Sequence, residues 1–168
     1  MDGVLEATLA EIETHLAAGG WDRRPTLYAL VRADRFLADD PATGRRLGLD
    51  QVAGDTLTPV EQDELPEGPL DDVLAGIAWP DAVTGCALSQ EIVFLPPQAE
   101  ADLTPEQVAG RAAKHPDRRE ARLLVAALRD GTTAALLRLR ETDGTDGELL
   151  TGSELAPNLA AALLQTLR

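Results

Sequence analysis

A single cysteine, Cys86, in a chain of 168 residues excludes an intramolecular disulfide and any multi-cysteine zinc site, and it points to a reducing compartment. Aromatic residues are scarce as well. With two Trp, two Phe and one Tyr, the core has to be packed from Leu, Val, Ile and Ala. No run approaches the roughly 18 apolar residues of a spanning helix, and MDGVLEATLAEIETHL has neither the basic start nor the unbroken apolar stretch of a signal peptide. These absences describe a soluble, cytoplasmic protein with no membrane partner. Its length suits one domain, residues 1–168, which at this size buries roughly 70% of the surface its unfolded chain exposes.

Positive charge is the next deficit. Fifteen Lys and Arg stand against 29 Asp and Glu, a net charge of −14, and a chain so acidic repels phosphate backbones; nucleic acid is not an expected partner. The imbalance is local. From Leu47 to Gly110 there are thirteen acidic residues and no Lys or Arg, while nine of the fifteen basic residues follow that stretch. Such a distribution keeps a small protein dispersed, and it also offers a negative surface to a basic partner.

Apolar spacing supplies the elements. Leu5, Leu9, Ile12 and Leu16 make one stripe of an N-terminal helix stopped at Gly19-Gly20. TLYALVR (26–32) reads as a strand, and ADRFLADDP as a short helix ended by Pro41. Residues 41–69 read as a long acidic loop excursion, with a short helix start at Thr58-Pro59-Val60-Glu61. A helix from Pro69 to Pro80 follows, then a strand over 83–96 with Cys86, Leu88, Ile92 and Phe94 on one side. Thr104-Pro105-Glu106-Gln107 launches a helix to about His115. ARLLVAALR and TTAALLRLR flank Asp130-Gly131, which predicts a hairpin with a two-residue type I′ turn, in a register that sets Arg122, Leu124, Ala126 and Leu128 on one face with Leu139, Leu137, Ala135 and Thr133. NLAAALLQTLR (158–168) closes the chain as a helix. The sum is an α+β fold: about four mostly antiparallel strands covered by terminal and intervening helices.

Motifs that carry chemistry fail on inspection. Trp79-Pro80-Asp81 spells the acid loop of tyrosine phosphatases, five residues before the lone cysteine. Cys86, however, is followed by ALSQE and Ile92, without the arginine that must hold the phosphoryl oxygens, and it sits in a strand. Its expected role is a small buried hydrophobe. The acidic loop ETDGTDGE (141–148) lacks the ligand alternation and glycine position of a calcium loop. His15 and His115 fall at helix ends, where the helix dipole favours them. No catalytic residue, metal or cofactor is expected. Where an aromatic, a carboxylate and basic groups could converge is around Trp79, Asp81, His115 and Arg118, the last two in the basic HPDRR segment.

Read together, LYALVR (27–32), LTPVEQDELP (57–66), IAWPDAVTGCAL (77–88), VFLPP (93–97) and HPDRREARLLVAALRDG (115–131) resemble a family of small uncharacterised acidic proteins from actinobacteria, and fourteen Arg to one Lys suits their GC-rich genomes. The resemblance implies an origin and a single domain, and adds no catalytic residue. Two function classes follow from the residues. One is a non-catalytic binding or chaperone-like module for a protein partner, by analogy of architecture with bacterial secretion chaperones, and with a homodimer left open. The other is a small-molecule binder or an enzyme of unrecognised type with its site near Trp79, Asp81 and the 115–119 segment.

Overall fold

A computed structural model describes residues 2–62, 65, 68–94, 119–141, 146–152 and 155–167. Helix α1 (Asp2–Gly19) carries the expected stripe, and Leu5, Leu9, Ile12 and Leu16 are each at most 2% exposed. Strand β1 (Thr26–Arg32) leads directly into α2 (Ala33–Asp39) and then α3 (Pro41–Arg46), where Asp40 caps the helix by accepting from the Thr43 N–H and Pro41 takes a first-turn position. A 3₁₀ turn (Leu49–Gln51) precedes strand β2 (Leu57–Glu61). Helix α4 (Leu70–Ala75), strands β3 (Gly85–Phe94), β4 (Arg119–Leu128), β5 (Thr133–Arg140) and β6 (Asp146–Thr151), and helix α5 (Pro157–Thr166) complete the described elements.

The strands form one antiparallel sheet of six in the order β2-β1-β3-β4-β5-β6. The mixed α+β class holds, with six strands in place of about four. Both additional strands are sheet edges. Residues 41–69 are not one loop: they hold α3, the 3₁₀ turn and β2. Thr58-Pro59-Val60-Glu61 has the letters of a helix start, yet it pairs with β1, with Pro59 opposite Leu30 and Glu61 opposite Tyr28. Gln62 N–H donates to Leu27 O on β1, and Leu30 O instead accepts from Thr84 on the β3 side, so Pro59 occupies a position whose N–H would point away from the ladder. A proline there blunts a free edge and costs no ladder bond. Strand β6 comes from the stretch weighed and rejected as a calcium loop; Leu149 and Leu150 alternate too briefly to announce a strand. The helix expected over 104–115 lies outside the described residues.

The hairpin is correct in its elements and wrong by one residue in its register. A type I′ turn needs positive φ at both central residues, and Asp130 does not have it, whereas Gly131 does, at φ 97°. Asp130 instead accepts the Thr132 N–H with its own carboxylate, the Leu128 N–H donates to Thr132 O, and the loop holds three residues. Leu124 therefore faces Leu136, and Arg122 faces Arg138. The shift puts Ala134, Leu136 and Arg138, not Thr133 to Leu139, on the same side as Arg122.

Each face of the sheet has its own cover. Helix α1 lies over Tyr28, Leu30, Leu57, Ala87, Leu124, Ala126 and Leu136. Helices α4 and α5 cover the opposite side, where Leu74, Leu163 and Leu167 meet Leu27, Cys86, Leu88, Val125 and Leu137. Burying each such leucine is worth about 1.5–3 kcal/mol, so the aliphatic layers carry the fold. Small residues at the centre of β3 and β4 let the layers close. At Gly85, a Cβ would collide with the Ala127 carbonyl of the next strand.

Candidate functional site

Trp79 and Asp81 lie on the loop between α4 and β3, and their side chains serve different places. The Trp79 indole N–H donates to Thr166 Oγ1 at 2.9 Å, and Thr166 in turn donates to Leu163 O within α5. Cys86 packs beneath this pair, its Sγ 3.6 Å from Thr166 Oγ1 and 3.8 Å from Leu163 O. Burial pushes the thiol up to about 11, so it is protonated at neutral pH, the opposite of what a nucleophile requires. Trp79 is thus a fastener between the loop and α5.

Arg129 fixes the same loop from the hairpin. Its guanidinium donates to the carbonyls of Val83 (2.7 Å), Trp79 (3.1 Å), Pro80 (3.0 Å) and Leu167. One cation thereby satisfies the loop and the carbonyl of Leu167, the C-cap residue of α5, where positive charge complements the helix dipole. Nothing in its sequence surroundings marks it, because the four acceptors are brought together only by the fold.

Asp81 opens the other way. With Arg32, Asp34, Arg35, Ala38, Ala82 and Thr84 it lines an open polar cleft of about 520 Å³ at the end of β1. The cations there are already engaged. Arg32 grips Asp34 with two bonds of 2.8 and 3.1 Å, which holds the Asp34 carboxyl below its usual range, and Arg35 pairs with Asp39 at 3.1 Å. Trp79 does not line this cleft, and His115 and Arg118 lie outside the described residues. Of the four residues expected to converge, Asp81 alone is placed in it.

The two flanks of α1 show a sharper contrast. On the flank facing β4 and β5, the buried Glu13 accepts from Arg122 at 3.2 Å and from Arg138 at 2.9 Å. Arg122, itself 2% exposed, also bonds Gly20 O and stacks 4.5 Å from the Trp21 ring centre, while Arg140 approaches the same ring and pairs with Asp22 and Glu120. Glu91 accepts the consecutive backbone N–H groups of Asp22 and Arg23, which ties the α1–β1 connection to β3. This flank is fully compensated, and the one-residue register of the hairpin is what delivers Arg138 to it.

On the flank facing β2, Glu11, Ile12, His15, Tyr28, Pro59 and Glu61 line a cleft of about 290 Å³. Tyr28 is 4% exposed, and its hydroxyl has no hydrogen-bond partner. Burial above all, then the charge of Glu61, raises the phenol; Arg23 and the Ser89 hydroxyl act in the opposite direction, though Ser89 closes no bond of normal geometry. Among the described residues no arginine pairs with Glu11 or Glu61. The sequence hid this cleft because Glu61 read as the reciprocal residue of a helix cap and His15 as a helix-end charge.

A profile of the PPA1309-like protein family matches residues 5–168. The chain belongs to that family. Neither a curated protein nor a solved structure matches it. Among the described residues no helix is long and apolar enough to cross a membrane, and no group of three His, Cys, Asp or Glu is arranged to hold a metal ion.

Proposed function

We propose that this PPA1309-like protein is a non-catalytic, acidic binding module whose partner is a protein with a basic surface. The observation that carries the reading is that the arginines of the hairpin are engaged within the chain. Arg122, Arg129, Arg138 and Arg140 all donate to backbone carbonyls or carboxylates of the chain itself. These cations hold the fold together; Arg140 pairs with the exposed Asp22 and the partly exposed Glu120, while among the described residues no arginine pairs with the exposed Asp50, Asp55 or Asp72. Charge arranged in this way steers a basic partner and sets its association rate. The cytoplasm of an actinobacterial cell is the setting that the arginine preference and the single buried thiol support.

Affinity capture from a lysate of that kind, followed by kinetics with the purified partner, tests the reading. Association should slow steeply as salt rises, and Asp50→Asn, Asp55→Asn and Asp72→Asn together should slow it further with dissociation little changed. An association rate indifferent to both salt and the three substitutions would leave solubility as the role of the charge. The Asp81 cleft favours a second reading, a polar small-molecule site, which native mass spectrometry of the same captured sample would reveal as a bound ligand.

A further inference from the structure

We infer that the cleft between α1, β1 and β2 is a receptor for one arginine side chain of the protein partner. The inference rests on the binding-module reading and names the group recognised. Its basis is the asymmetry of α1. One flank presents a carboxylate, Glu13, and the fold supplies two guanidinium groups to meet it. The other flank presents Glu11 and faces Glu61 across the cleft, and among the described residues no arginine pairs with either.

Each wall has a chemical role. Glu61 stands directly opposite Tyr28 across the β1–β2 ladder, at a position where paired side chains come closest, so its carboxylate and the phenol share one side of the sheet. Glu11 lies one step around α1 from the buried Ile12 and faces them from above. Ile12, Pro59 and the Tyr28 ring give the cleft an apolar lining suited to an alkyl stem. A guanidinium has five N–H donors in a planar fork, enough for both carboxylates, and the cleft wall it would meet includes Tyr28, whose buried hydroxyl lacks a partner. The volume, about 290 Å³, lies just under the roughly 300–1,000 Å³ range of small-molecule sites, which suits a single side chain. A partner strand adding to β2 is disfavoured, because Pro59 removes an outward N–H from that edge. Recognition therefore runs through a side chain inserted from outside.

The probe is N-acetyl-arginine amide, titrated into the intact protein and followed by the NMR shifts of ring-labelled Tyr28, the chain's only tyrosine, and of the Ile12 methyls. Saturable shifts centred on these two residues are expected, with the uncharged isostere N-acetyl-citrulline amide about tenfold weaker or worse. Glu61→Gln and Glu11→Gln should each weaken the arginine amide about threefold, the scale of one exposed ion pair, while Asp55→Asn leaves it unchanged. Both glutamates are exposed, so neither substitution threatens folding. Equal binding of the citrulline compound, shifts spread over the acidic exterior without saturation, or indifference to both Glu→Gln changes would overturn the inference. A captured partner that depends on the exterior acids but ignores Glu11 and Glu61 would defeat this inference alone. Saturable arginine binding by a protein that captures no basic partner would defeat the module reading alone.

Discussion

At the scale of single residues, the structure turns apparent chemistry into packing. Cys86 is buried under Thr166 and Trp79, and its thiol titrates near 11 instead of the ordinary 9.0. An acid whose folded pKa is raised keeps its proton in the native state while the unfolded state has lost it, so stability falls as pH climbs from about 9 to about 11. The loss from this group approaches roughly 2–3 kcal/mol at the top of that window. Tyr28, also raised, adds a loss of the same sign once pH passes its ordinary value of 10.0. Denaturant unfolding of the wild type should therefore weaken across this range, and Cys86→Ala should flatten the slope while lowering stability at neutral pH. Thiol labelling of the native protein should track global unfolding. Identical slopes in the two proteins, or labelling as fast as that of a free thiol, would contradict this account. That Cys86 is structural was legible from the strand alternation and the missing arginine. Its lock to Thr166 was not, because 80 residues separate the pair.

At the scale of elements, long periodic segments were readable and short edges were not. Strand β1 and the buried stripe of α1 follow directly from apolar spacing. Strands β2 and β6 escaped because an edge strand needs few apolar residues, tolerates proline and draws its stability from a neighbour the sequence does not name. The hairpin shows where local rules reach their limit. Asp-Gly fits two turn types, and the carboxylate of Asp130 selects the three-residue one by capturing Thr132. Gly131 is required in either. Its φ of 97° excludes a β-branched residue although the space around it is open, so Gly131→Val should destabilise by more than about 1 kcal/mol through backbone strain. Gly131→Asn should cost less, since asparagine tolerates left-handed backbone. Equal midpoints for wild type and the valine variant in urea would show that the turn does not have this geometry.

At the scale of the whole molecule, charge is divided between a compensated interior and an exterior that pairs some of its acids and keeps a surplus of them. The composition showed the surplus of acid, but not that Arg122 and Arg138 would converge on the buried Glu13, since that depends on a register set by one turn. The two populations respond differently to salt. A net charge of −14 repels itself, and ions shorten the reach of that repulsion to about 8 Å at physiological strength, so added salt should raise the unfolding midpoint at neutral pH. The Glu13–Arg122 pair is shielded from those ions by its burial. Removing one partner leaves the other charge unmatched in the interior, so Glu13→Ala should cost about 3–5 kcal/mol, and nearly the same at low and high salt. Thermal and urea unfolding of both proteins over a salt series separates the terms. A wild-type midpoint that falls with salt would mean that exposed pairs such as Arg35–Asp39 dominate the electrostatics, and a Glu13→Ala cost that vanishes at high salt would mean that solvent reaches the pair and that the interior is not the compensated compartment described above.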